Sequence, residues 1–252
     1  MTFFPWVGIR RGRRGPGQVG VVSFSIPANS TGYWMERFKK LGVTVSTPLT
    51  RFDEEVLTLV DPDGLQIELA AREGPEGNAW NNSPVPQEQA IRGFAGPTLL
   101  LNEPSGTIEL ISTLFGLKLI QQAGPRYRFA GSPGIGGWVD IEARRGDTPG
   151  SLGAGIVHHI AWRTPDDAQQ LEWRQILVDK GLNVTPVMDR MYFHSIYFRE
   201  PGGILFEIAT DPPGFATDET PETLGTSLKL PGWLEPKRGE IEHMLPKIKL
   251  PA

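Results

Sequence analysis

The chain has 252 residues, of which 39% are hydrophobic and 21% charged, with a net charge of −4. That length accommodates one large domain or two ordinary ones with a sizeable core. The mild charge argues against a nucleic-acid or membrane-surface partner. With no cysteine, disulfides and thiolate metal sites are excluded, which fits a reducing compartment and makes cytoplasm the default. No apolar run approaches the ~20 residues that span a bilayer, and aromatics ahead of basic residues at the start are in the wrong order for a secretory signal.

In chain order, MTFFPW (1–6) reads as a single strand, which is not stable by itself. Arg10, Arg11, Arg13 and Arg14 lie in a Gly-rich connector and read as a solvated loop. From Gly17, GQVGVVSFSIP reads as a strand, and TGYWMERFKKLG as a helix with Trp34, Phe38 and Leu41 on one face. The stretch from Arg51, RFDEEVLTLVDPDGLQIELA, reads as a hairpin, so residues 17–72 form one strand–helix–three-strand unit. A polar, Pro/Gly-rich linker is expected over 73–90. Residues 91–145 form a looser copy, with IRGFAGPTLLL as strand, SGTIELISTLFG as helix and three short strands after it. The GSPGIGG run inside that copy lacks Walker spacing and a following Lys, so it is no phosphate loop.

After a second linker at 146–154, residues 155–211 repeat the pattern. GIVHHIAWRTP matches GQVGVVSFSIP at an offset of 138, and RMYFHSIYFREPGGILFEIA matches the first hairpin at an offset of 139. The intervening helix, DDAQQLEWRQILVDKG, carries Leu171, Ile176 and Leu177 on its expected apolar face. Each helix is expected to stop at a Gly. Residues 212–252 read as a strap with a short helix near 236–244. The fold class expected is α+β, built from repeated βαβββ units in open, curved mixed sheets.

Glu207 interrupts the apolar strand ILFEIA, and an ionised carboxylate out of water needs a partner or a metal. His158 and His159 open the first strand of the same unit, and alternation allows only one of them to share a side with Glu207. One His and one carboxylate supply part of a two-His, one-carboxylate facial triad. If the hairpin is symmetric about Gly202, Tyr197 stands across from Glu207, where a phenol can exchange a proton with a bound substrate. Arg190 could hold an anionic oxygen and His194 could carry a proton. Spacing alone leaves an ordinary ion pair and a metal site both open for His159 and Glu207. It likewise leaves Tyr197 open as a plain strand aromatic. Glu68, the repeat partner of Glu207, faces a copy with Val21 in place of His159 and reads as a rim residue or the partner of an Arg. His243 reads as solvated.

The stretches GIVHHIAWRTPDD, YFHSIYFREPGGILFEIATDPPGF and WLEPKRGEIEHMLP, with TFFPW and QEQAIRGF upstream, resemble the hydroquinone-type ring-cleaving dioxygenases of the vicinal-oxygen-chelate superfamily. That resemblance implies a subunit of four βαβββ units. It implies Fe(II), or else Mn, Ni or Zn, held by His159 and Glu207, with Tyr197 as acid/base group, Arg190 near the substrate and His158 shaping the site. The expected partners are a small aromatic substrate and O2, with homo-oligomer formation allowed for and neither nucleic acid nor membrane. It also implies a second His ligand on the first strand of a first unit, but no histidine precedes His158. Three explanations stand: a start inside that unit, whose remnant is residues 1–16; a natural fragment with altered or no activity; or a third ligand from His158, His194 or another subunit. The alternative functions on this scaffold are a non-redox binding or resistance protein and a glyoxalase-like isomerase with Ni or Zn.

Overall fold

The structure is a computed structural model, described here over residues 1–74, 83–131 and 136–245. Three stretches of the chain each give a strand, a helix and three more strands. The first has β1 (Gln18–Pro27), α1 (Thr31–Lys40), β2 (Leu49–Arg51), β3 (Glu54–Val60) and β4 (Gln66–Arg72). The second has β5 (Gly93–Leu101), α2 (Ser105–Glu109) continuing into a π-helical turn, then β6 (Lys118–Ala123), β7 (Arg126–Ala130) and β8 (Trp138–Ala143). The third has β9 (Ile160–Thr164), α3 (Asp167–Asp179), β10 (Met188–Asp189), β11 (His194–Arg199) and β12 (Leu205–Thr210). A last helix, α4 (Arg238–Met244), lies in the tail.

The first two stretches share an eight-stranded mixed sheet in the order β2-β3-β4-β1-β5-β8-β7-β6. Its parallel pairs are β1 with β4 and β5 with β8, and its centre is the antiparallel pair of β1 and β5. The strands of the third stretch are ordered β10-β11-β12-β9. By compactness the chain divides into one unit of residues 1–161 with 197–207 and another of 162–196 with 208–252. Part of the 73–90 linker and of the GSPGIGG run lies outside the described residues, as does the end of the tail.

In the first unit α1 buries Trp34 and Phe38 against Ile26, Leu57 and Leu69. Leu41, expected on that face, is the C-cap and stands in solvent, because the helix has ended at Lys40 and Gly42 turns the chain at φ +66°. In the second unit α3 buries Gln170 and Leu177, whereas Leu171 and Ile176 are exposed. The apolar count misleads there because Gln170 faces inward. Its Nε2 donates to the carbonyls of His194 and Ile208, at 2.8 Å each, so an amide fills a core position without an unmet donor.

MTFFPW forms no strand. No sister strand pairs with it among the described residues, and the backbone instead turns locally, with Trp6 N donating to Phe4 O at 2.9 Å. Three of the four arginines after it are clamps rather than free loop charges. Arg11 donates to the carbonyls of Pro62 and Asp63, Arg13 to that of Pro149 and Arg14 to that of Gly20. At the start of the tail Phe215 stacks on Tyr192 with centroids 5.1 Å apart, while Trp233 and Met244 are exposed.

The two matching hairpins share a turn device. In DPDGL, Asp61 Oδ1 accepts from the N–H groups of Asp63 and Leu65. In EPGGI, 139 residues later, Glu200 accepts from the N–H groups of Gly202 and Ile204. Glu200 is buried and takes a third bond from the Thr107 hydroxyl. Burial raises its pKa against the pull of these three donors. A carboxyl raised on folding contributes stability fully below its ordinary value of 4.5, and that stability is lost as pH rises through the folded value. Glu200→Ala is therefore expected to cost about 3 kcal/mol by stranding three donors, and to remove the decline above pH 4.5 in a series of urea melts.

Candidate active site

Alternation along β11 and β12 puts Phe198 and Phe206 on one side, where their rings meet at 5.8 Å and Phe115 stacks on Phe206 at 6.4 Å. Tyr197 and Glu207 take the other side. The turn Glu200–Gly203, with Gly203 at φ +92° and Glu200 N donating to Ile204 O at 3.0 Å, folds β12 back beside β11 and brings the two side chains together. The Tyr197 hydroxyl donates to Glu207 Oε1 at 2.8 Å. His159 Nε2 lies 2.6 Å from Glu207 Oε2. Each carboxylate oxygen thus has one partner, and Glu207 is only 2% exposed. The imidazole and phenol rings stand at 89°, with centroids 5.7 Å apart.

His158 does not take the opposite face as alternation predicted. Both histidines precede β9, which begins at Ile160, so the strand rule does not govern them. Instead His158 Nδ1 meets His159 Nδ1 at 2.8 Å, with the rings at 85°. One of these two nitrogens must donate and the other accept. Burial, and next the charge on His159, lower the pKa of His158. The roles follow the tautomers: where His158 carries its proton on Nε2, it accepts from His159 Nδ1–H, and His159 Nε2 faces Glu207 Oε2.

The first unit brings together His158, His159, Tyr197 and Glu207. Arg190 and His194 belong to the second unit. The Arg190 guanidinium lies 3.8 Å from Met188 Sδ, and His194 Nδ1 is 2.6 Å from Asp167 Oδ1, so His194 already serves a surface carboxylate. His243, in α4, is exposed. In the repeat copy, Arg51 grips Glu68 through two bonds of 2.7 and 2.9 Å, and Ser23 adds a third at 3.1 Å. Glu68 is thus a structural carboxylate held by an Arg, as the sequence suggested.

Sequence reasoning missed two aromatics at the site. Phe4 and Trp6 stack on each other at 5.4 Å, and both meet the ring of His158, at 5.8 and 5.7 Å. They are delivered there by pairing of Arg11 with Ala154 and of Arg13 with Ser151, just upstream of the histidines. Gly12 permits that approach, since a Cβ would lie 2.3 Å from Ile156 Cγ1 and 2.8 Å from the Ser151 carbonyl. The signal available in the sequence was an FFPW cluster followed by a glycine amid arginines.

An imidazole nitrogen and a carboxylate oxygen suit a divalent first-row ion. Two such donors on one ion at about 2.1 Å each would lie about 3 Å apart, close to the 2.6 Å between His159 Nε2 and Glu207 Oε2. Donor type and spacing therefore fit a metal. The number falls one short of a facial triad, since the described residues contain no group of three His, Cys, Asp or Glu able to hold an ion.

Residues 102–208 match the model of the Glyoxalase/Bleomycin resistance protein/Dioxygenase superfamily. Along 248 residues the chain is 46% identical to "Putative ring-cleaving dioxygenase MhqO" of Bacillus subtilis, covering 97% of this chain and 78% of that protein. It is 34% identical to "Chlorohydroquinone/hydroquinone 1,2-dioxygenase" of Sphingobium indicum over 238 residues, which is 91% of this chain and 73% of that one. The crystal structure of a "putative dioxygenase" from B. subtilis superposes with a TM-score of 0.92 at 45% identity, over 98% of this chain and 79% of its own. Glyoxalase I from Zea mays superposes at a TM-score of 0.58 with 16% identity, over 81% and 71% of the two chains, and shares the fold. The chain belongs to the glyoxalase/bleomycin resistance protein/dioxygenase superfamily, as one of its ring-cleaving dioxygenases.

Proposed function

We propose that the chain opens the ring of hydroquinone- or catechol-like aromatics with O2, and that His159 and Glu207 hold the metal, Fe(II), on which the reaction depends. The observation that carries this reading is the division of one buried carboxylate between an imidazole on Oε2 and a phenol on Oε1. The S. indicum relative supports the substrate class by its name. When bound, Fe(II) supplies a path for electrons from a phenolate oxygen to O2.

The chain's own groups supply the rest. Glu207 offers charge and a fixed direction, because Tyr197 restrains the oxygen that His159 does not face. His158 holds the tautomer of His159 by accepting its Nδ1 proton, so that Nε2 presents a lone pair to the ion. The Tyr197 hydroxyl is the proton carrier nearest the site. As a neutral phenol it can give its proton to the ring-opened product and regain one from the next phenolic substrate. Arg190 keeps the role of balancing an anionic oxygen on the family pattern, not on geometry. A cysteine-free chain suits the reducing cytoplasm, where Fe(II) persists.

Protein loaded anaerobically with Fe(II) is expected to consume O2 when hydroquinone is added and to release a ring-opened acid. Tyr197→Phe is expected to lower kcat by roughly 10²- to 10⁴-fold with iron content unchanged. Retention of iron with no O2 uptake on any hydroquinone or catechol would overturn the reading.

A further inference from the structure

Phe4 and Trp6 are 47% and 54% exposed, although they are large apolar side chains packed beside a buried ionic site. Isolated exposed aromatics are common, but a stacked pair with open faces next to a candidate catalytic centre is a binding surface in form. Three features restrict what it binds. The two rings are stacked nearly parallel, at 20° between their planes, so the pair presents flat π faces rather than an aliphatic groove. Both rings present toward His158 at steep angles, 63° and 83°, so their contact with the imidazole is edgewise. Phe4 also reaches His159, 6.2 Å from centroid to centroid, which places the pair one ring away from the metal donors.

We infer that Phe4 and Trp6 are the specificity-determining wall of the site, against which the ring of a phenolic substrate stacks. This rests on the proposed aromatic substrate and adds the residues that select it. Offset or edgewise stacking rewards an aromatic ring and gives nothing comparable to a saturated one of the same size. The wall therefore separates hydroquinone from cyclohexane-1,4-diol, which presents equivalent hydroxyls without a π face. The wall is fixed by backbone pairing rather than by its own burial. Gly12 N donates to Ala154 O at 3.0 Å and Ala154 N donates to Arg10 O at 3.0 Å, so the anchor survives loss of either ring.

The test is calorimetric titration with hydroquinone under argon, where no ring cleavage proceeds, on Fe(II)-loaded protein. Trp6→Ala and Phe4→Ala are each expected to weaken hydroquinone binding by roughly 2- to 12-fold, with iron content and melting temperature unchanged. Trp6→Phe is expected to stay within about twofold of the parent, because it keeps a stacking face. Cyclohexane-1,4-diol is expected to bind the parent and both alanine variants alike. Equal hydroquinone affinity in the parent and the Trp6→Ala, Phe4→Ala double variant overturns the inference. So does loss of a dimer on substitution with no change in affinity, which would make the pair a contact between copies. Turnover does not enter these readings. A parent that binds hydroquinone through the wall but consumes no O2 keeps the wall and loses the proposed reaction.

Discussion

Glu207→Ala is expected to yield a folded protein that holds no iron and takes up no O2 with hydroquinone, a loss of at least roughly 10³-fold. The size follows from how much converges on one carboxylate. It faces His159 Nε2 at 2.6 Å and accepts the Tyr197 hydroxyl at 2.8 Å, from a position 2% exposed. Removing it takes away a charged donor and leaves the phenol and imidazole without their acceptor. The stability cost stays moderate, because a buried charge disappears along with its bonds. Glu207→Gln separates the two contributions. Its amide oxygen still accepts from Tyr197, but its nitrogen cannot ligate, so the fold is held while iron is lost. Iron content by absorption spectroscopy, read beside circular dichroism, checks both variants.

The largest stability loss is expected at Arg128, which is 4% exposed. Its guanidinium donates to Asp140 at 2.7 and 3.1 Å and to Glu54 at 2.7 Å, and it lies 4.3 Å over the Trp138 ring and 4.8 Å from that of Phe52. Burial pulls its pKa down, but the hydrogen bonds and charges of Asp140 and Glu54 outweigh that and raise it. Arg128→Met takes the forked donor from two carboxylates, on β3 and β8, leaving Glu54 with Arg72 at 3.5 Å and Asp140 with Arg126, at an expected cost of about 3–5 kcal/mol. Arg126, which also reaches Asp140 at 3.1 Å, keeps the loss from going higher. Lys is expected to rescue little, since one ammonium cannot reproduce the fork. By contrast Arg163, 84% exposed and paired with Asp211, is expected to cost under about 1 kcal/mol on truncation to Ala. Urea midpoints with unchanged m-values measure both.

How much of this was legible in the sequence depended on whether a rule of fixed period applied. The hairpin did obey one. A constant offset of 139 aligned DPDGLQIELA with EPGGILFEIA, and two-residue alternation about the turn then placed Tyr197 opposite Glu207, where the hydrogen bond lies. Val21, standing where the repeat has His159, marked Glu68 as a rim residue or the partner of an Arg, and Arg51 is that partner. The histidines escaped because they sit before β9 rather than in it, so alternation separated two rings that in fact touch. The helix face of α3 escaped because a polar side chain, Gln170, is buried there with its Nε2 served by two carbonyls, partners that only tertiary structure supplies. The arginines after MTFFPW were unreadable as clamps for the same reason. Their partners are backbone carbonyls, as near as six residues and as far as 136, and carbonyls leave no mark on sequence.

The central claim is that one metal ion sits between His159 and Glu207. Anomalous diffraction at the iron edge, on crystals loaded with Fe(II) under argon, locates such an ion directly. A single peak about 2.1 Å from both Nε2 of the imidazole and a carboxylate oxygen is the expected result. A peak elsewhere, or an imidazole and carboxylate still joined to each other with no ion near them at full iron occupancy, would contradict the account.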